Sequence, residues 1–206
     1  MYDAALFIHL LGVVVLVGSV TTTLLTTLRV QTANSVSELR TLTAVTKRIE
    51  AFIAPGMVLI IVTGLFMVSQ HGYHGSIPWS AGWVDTALFI TVLLSVIGRT
   101  VEARDAKRLH AAIDGASDDG PHAELRALQL AASPIYSVFF GTSQVVALLY
   151  LMTNRPGLAV SIAVCGIAAI ASVVAAAIRI RSVRRLARGP LAGIGSDGRD
   201  VSSAQN

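Results

Sequence analysis

The chain has 206 residues, is 53% hydrophobic and only 14% charged, and carries a formal charge of +4 with a mean hydropathy of +0.67. Soluble domains carry about 25% charged residues, so this composition points to lipid as the solvent. The basic residues flank apolar runs and form neither an aromatic-plus-basic groove nor a helix-turn-helix, which excludes nucleic acid as the partner.

A membrane-crossing helix needs about 20 mostly apolar residues, and five segments qualify. Met1-Tyr2-Asp3 lacks the positive region of a signal peptide, and the apolar run after it is too long for one, so span one, 4–28, reads as a retained helix. His9 is the only histidine within a span. Ionisable groups at that depth are costly and face the protein interior or a cavity. On the helical spacing, His9 shares a face with Gly12, Leu16, Ser19, Thr23 and Thr26. That face is small or polar apart from Leu16, so it should point into the bundle, with Ser19 and Thr23 as interior polar groups. A neutral imidazole there could ligate heme iron or another metal. The alternative is a histidine that hydrogen-bonds a neighbouring helix.

Ser35-Val36-Ser37-Glu38 has capping-box spacing, and a helix from there could run unbroken into span two, 51–69. Pro55, Gly56 and Gly64 can loosen or closely pack that span. The loop that follows reads Gln70-His71-Gly72-Tyr73-His74-Gly75. His71 and His74, three apart, could share a metal if the loop allows it; the alternative is a solvated glycine-rich loop. Span three, 83–98, is the shortest and is bounded by Asp85 and Arg99, with Trp79 and Trp83 at the outer boundary. Asp85 is an outer-face acid, either solvated or near His9. The charged, helix-forming stretch 99–113 extends span three into the cytoplasm, and 114–121 reads as a turn.

Span four, 134–153, starts near Pro134 and carries Ser137, Gly141 and Gln144 on one face; Gln144 is a full amide near mid-membrane. Span five, 157–178, is rich in Ala and Gly and contains Cys165, the one cysteine, which has no disulfide partner and serves as a small buried hydrophobe. The tail, 189–206, is rich in Gly, Ser and Asp and is expected to be disordered in the cytoplasm.

Charge placement sets the topology. With five spans, 15 of the 16 basic residues fall on one side and only Arg155 on the other, as the positive-inside rule requires. Removing span three would move the group from Arg99 to Arg126 outside. The N-terminus is therefore expected outside and the C-terminus in the cytoplasm. No phosphate loop, zinc-protease motif or nucleophile elbow occurs. No charged pair sits deep in a span, which argues against an ion-coupled transporter.

Several short motifs carry a resemblance: Phe7-Ile8-His9-Leu10-Leu11-Gly12 with Val17-Gly18, Thr63-Gly64-Leu65, Trp83, and Tyr150-Leu151-Met152-Thr153-Asn154-Arg155-Pro156. Scattered over most of residues 5–160, they resemble a bacterial family of predicted integral membrane proteins of unknown function. That family is distantly similar to the small membrane protoporphyrinogen oxidase and to copper-resistance D-type membrane proteins. The resemblance implies that His9 matches a histidine early in helix one of the heme-pathway group. The lysine that follows that group's tryptophan is absent here, where Trp83 is followed by Val84-Asp85-Thr86-Ala87. Copper proteins of the second group carry more methionine and histidine than this chain.

Together these readings give an all-α membrane protein, one transmembrane domain over 1–188 with five helices, in a bacterial inner membrane. Its leading function is binding heme, a porphyrin or a metal through His9. Two other classes stay open: a non-catalytic partner or assembly protein, and a small-molecule permease or permease subunit. The bilayer is the first partner; a protein partner or homo-oligomer is a further one.

Overall fold

Lipid offers backbone groups no hydrogen-bond partners, so a spanning segment must satisfy them internally. The computed structural model describes residues 1–69, 81–116 and 123–188. In chain order they form α1 (Tyr2–Val30), α2 (Val36–Ser69), α3 (Gly82–Ile97), a π-helical turn (Gly98–Glu102), α4 (Ala103–Asp114), a short α5 (Ala123–Gln129), α6 (Ala132–Asn154) and α7 (Leu158–Arg188). No strand occurs among the described residues. Five stretches are long and apolar enough to cross a bilayer: Tyr2–Val30, Val36–Ser69, Gly82–Asp114, Glu124–Asn154 and Leu158–Val183. The chain is a multi-pass membrane protein. The glycine-rich loop with His71 and His74, and the tail 189–206, lie outside the described residues.

Local chemistry sets the helix ends. The Ser35 hydroxyl accepts from the Glu38 backbone N–H at 3.2 Å, and the Glu38 carboxylate accepts from the Asn34 N–H at 3.4 Å. From this cap α2 continues without a break through Pro55. α6 begins at Ala132, slightly before the start expected near Pro134. Pro134 is then the third helical residue, where an N–H would have no intrahelical acceptor and its loss costs nothing. α3 does not stop at Gly98 but passes through the π turn into α4.

The outer surface is apolar. Phe7, Val14, Phe89, Ile167 and Ile170 are all about two-thirds exposed, which suits hydrocarbon and not water. Small residues set the close approaches inside. A Cβ at Gly12 would lie 2.9 Å from the Ile60 Cγ1, and one at Gly82 would collide with the Leu158 Cβ. Glycine thus lets α1 meet α2 and α3 meet α7.

Neighbouring helices alternate in direction, so the bundle has two distinct ends. At one end, Ala33, Val36, Leu39, Ile113 and Leu125 form a tight apolar cluster. There Arg126 donates to the Ala33 carbonyl at 3.0 Å, and the Gln129 amide donates to Val30 and Ala33 carbonyls at 3.2 and 3.3 Å. These bonds satisfy carbonyls that the end of α1 leaves open. The other end gathers the starts of α1 and α3 with the ends of α2 and α6, and it holds His9.

Candidate functional site

His9 lies early in α1 and is 8% exposed. Its Nδ1 is 3.1 Å from the Ile60 carbonyl oxygen and 3.1 Å from the Thr63 hydroxyl, both on α2. A carbonyl can only accept, and the Thr63 hydroxyl donates its own hydrogen to the Leu59 carbonyl at 2.6 Å. The ring hydrogen therefore resides on Nδ1. A neutral imidazole with its hydrogen there keeps the lone pair on Nε2. No hydrogen bond engages Nε2 among the described residues. Gly64 makes room for the ring: a Cβ at that position would sit 3.4 Å from the His9 Cε1.

His9 lines a cavity of about 420 Å³ at this end of the bundle, within the range of about 300–1,000 Å³ typical of small-molecule pockets. Its walls are mainly apolar and include Leu6, Ile61, Met67, Trp83 and Met152. Arg155 brings the one basic side chain. Its backbone closes α6, its N–H donating to the Leu151 carbonyl at 2.9 Å, with φ at 47°. This left-handed conformation is the only one among non-glycine residues described, and Pro156 follows directly. A non-glycine residue held there costs of order 1–3 kcal/mol, and such strain clusters at functional positions.

The interior polar residues expected from the sequence do not converge on His9. Ser19 is buried on the same helix, and its carbonyl accepts the Thr23 hydroxyl at 2.9 Å. Thr23 lines a different cavity at the opposite end of the bundle. Gln144 is 1% exposed; its amide donates to the Cys165 carbonyl on α7 at 3.1 Å, while its Oε1 has no partner. Asp85 is exposed and does not line the His9 cavity. No group of three or more His, Cys, Asp or Glu side chains able to hold a metal occurs among the described residues. The cavity thus offers one strong nitrogen ligand, two thioethers and one cation.

Met67, Met152 and Arg155 were not singled out as site residues in the sequence. Met67 is an ordinary apolar position of span two, and Met152 enters only through the motif that carries the family resemblance. Arg155 carries two signals, as the single basic residue at the less basic end and as part of the motif Tyr150-Leu151-Met152-Thr153-Asn154-Arg155-Pro156.

The chain belongs to the family described as predicted integral membrane protein (DUF2269), matching it over residues 4–156. No curated protein and no solved structure matches it.

Proposed function

We propose that this family member holds heme, a porphyrin or a metal ion against His9, near the outer face of a bacterial inner membrane. The observation that carries this reading is the state of the imidazole. Ile60 and Thr63 fix its N–H on Nδ1, which leaves Nε2 as a free donor atom beside an apolar cavity. Metal-binding histidines are oriented in this way, with the second ring nitrogen bonded to a carbonyl or carboxylate.

The donor set fits heme better than a bare metal ion. A closed metal site needs several ligands together, whereas heme supplies four of its own and asks the protein for one or two axial ligands. His9 would be one, and the Met67 or Met152 thioether would be the second on offer. Bound heme would supply electron-transfer or small-molecule ligation chemistry. The apolar walls exclude water from the ring, and the Arg155 guanidinium, at the less basic end, can pair with peripheral carboxylates. Orientation in the bilayer, with the N-terminus outside and the basic end in the cytoplasm, is part of the same proposal and rests on the placement of 15 of 16 basic residues.

The test is an absorption spectrum and metal analysis of protein purified from membranes of cells given ample heme and metals. Wild type should show a Soret band or stoichiometric metal. His9→Ala should lose it while still inserting, and His9→Gln should not restore it, because an amide keeps a hydrogen bond but not an imidazole ligand. The reading fails if the wild-type protein shows neither a Soret band nor bound metal.

A further inference from the structure

Four helices wall the His9 cavity: α1, α2, α3 and α6. Around that ring α2 packs on α1, α1 on α6 and α6 on α3, whereas α3 turns another side to α7. The apolar clusters follow the same division. Ala87 and Ile90 of α3 join Leu148 and Leu151 of α6 and Cys165 of α7, and Ile60 of α2 joins Leu16 of α1 and Val145 of α6. Among the described residues, no apolar cluster of buried side chains holds members of both α2 and α3.

One hydrogen bond links described residues of α2 and α3, between the Ser95 hydroxyl and the Met57 sulfur at 3.0 Å. The two helices run in opposite directions. From this link toward the Arg155 end, the seam between them follows α2 from Met57 to Val68 and α3 from Ser95 back to Val84. Each stretch is about 16 Å long at 1.5 Å per residue. Half of a bilayer's hydrocarbon core is about 15 Å, so the seam lies within one leaflet.

The two sides of the seam are matched. Ile61, Gly64, Leu65 and Val68 line the cavity from α2, and Val84, Ala87, Leu88 and Thr91 line it from α3. Both sets follow the three-and-four spacing of a single helical face. Each is apolar except at Thr91, whose hydroxyl donates to the Ala87 carbonyl at 2.7 Å. Leu88 lines the cavity and is still 42% exposed, so the seam reaches the lipid-facing surface there. Gly64 abuts the His9 ring and places no side chain in front of it. An apolar slit of this kind offers water no partners.

We propose that the seam between α2 and α3 admits heme to His9 sideways, from the hydrocarbon of the leaflet at the Arg155 end and not from water. This inference rests on the proposed role of His9 and adds the route and the phase that supplies the ligand. Heme is flat and apolar with carboxylates on one edge. Two apolar helix faces with no packing cluster between them can part around a flat ring at little cost. Arg155 and Trp83, at the outer end of the same cavity, meet the carboxylate edge at the bilayer surface. No charge then has to enter hydrocarbon, where it is expensive. A hydrated metal ion could not use this path, so the seam also favours heme over a bare metal.

The experiment follows the Soret band as hemin dissolved in donor vesicles is mixed with the full chain, prepared without heme in nanodiscs. In a Cys165→Ala background, Leu65→Cys and Leu88→Cys are joined by a reducible bifunctional thiol reagent, which ties the seam shut. Loading should slow by about tenfold or more, a barrier rise of about 1.4 kcal/mol, and reduction of the linker should restore the rate. Protein loaded first and cross-linked afterwards should keep its Soret band, which shows that the site itself is intact. Joining Met57→Cys to Ser95→Cys, where the helices already meet, should leave the rate unchanged. Loading at the same rate with the seam tied overturns the lateral route and leaves the His9 reading standing. Failure of the wild-type protein to load at all overturns both.

Discussion

The Nδ1 of His9 lies 3.1 Å from the hydroxyl of Thr63, fifty-four residues away, and that hydroxyl can only accept because its hydrogen already bonds the Leu59 carbonyl. One threonine on α2 thus helps to decide which nitrogen of a histidine on α1 is free. Removing the hydroxyl while keeping the shape, in Thr63→Val, leaves only the Ile60 carbonyl to hold the ring. Affinity for the heme or metal proposed to bind at His9 should fall by about 10–100-fold, as for other partners that orient a ligand. Folding stability should change by about 1 kcal/mol, and Thr63→Ser should restore loading. The spectrum and metal content of the purified variants test this. Unchanged loading in Thr63→Val, with loading abolished in His9→Ala, would show that the hydroxyl does not orient the ring.

The contact between Gly12 and Ile60 predicts a coupled pair. A Cβ at Gly12 would lie 2.9 Å from the Ile60 Cγ1, next to the root of a stiff, β-branched side chain. Gly12→Ala should destabilise the bundle by about 1–3 kcal/mol, the usual cost of overpacking. In an Ile60→Ala background the same change should be much less harmful. Unfolding of the four proteins in mixed micelles gives the coupling energy, and simple additivity would mean that the helices separate without cost.

Gln144 is expected to be dispensable for stability. Its one hydrogen bond goes to the Cys165 carbonyl, within α7, and its buried Oε1 is unpaired. Hydrogen bonds between membrane helices average only about 0.6 kcal/mol. Gln144→Leu should therefore be neutral or slightly stabilising, and Gln144→Glu clearly destabilising. A loss above about 2 kcal/mol in Gln144→Leu would mean that Oε1 has a partner, such as a water or ligand.

The proposed orientation predicts opposite labelling of two introduced cysteines. The native Cys165 is buried, and Cys165→Ala removes it as background. In that protein, Ser76→Cys should react with an impermeant reagent in intact cells, and Ser117→Cys only after lysis. Reaction of both from the same side contradicts the five-span arrangement.

Membership of the all-helical membrane class, and the number of helices able to cross, could be read from the chain directly. A run such as 4–28 has no Asp, Glu, Lys or Arg to hold it in water, and its length matches the bilayer. The charges that flank the runs were equally legible, because they lie where apolar segments end. His9 was conspicuous as the one histidine inside a span, since burying such a group in lipid needs a reason.

Which helix faces meet was much less legible. In lipid, the outward face is as apolar as the interior, so hydrophobic periodicity no longer separates them. Met67 and Met152 look like any other apolar residue until the cavity places them around His9. Boundaries also depended on context: the helical extension over 99–113 was legible, but the π turn that joins α3 to α4 was not, and α6 starts before Pro134 because its first turn needs no proline N–H.

What the sequence determined by itself was an energetic preference of each segment: these runs belong in hydrocarbon, these charges at its edges, and this histidine inside. Only the tertiary structure decided the chemistry at particular atoms. The free Nε2 of His9 depends on Ile60 and Thr63, and the unpaired Nε2 of Gln31 depends on Arg179, 148 residues away. Hydrogen bonds are short and directional, so they depend on how helices distant in the chain are packed, which local composition does not encode.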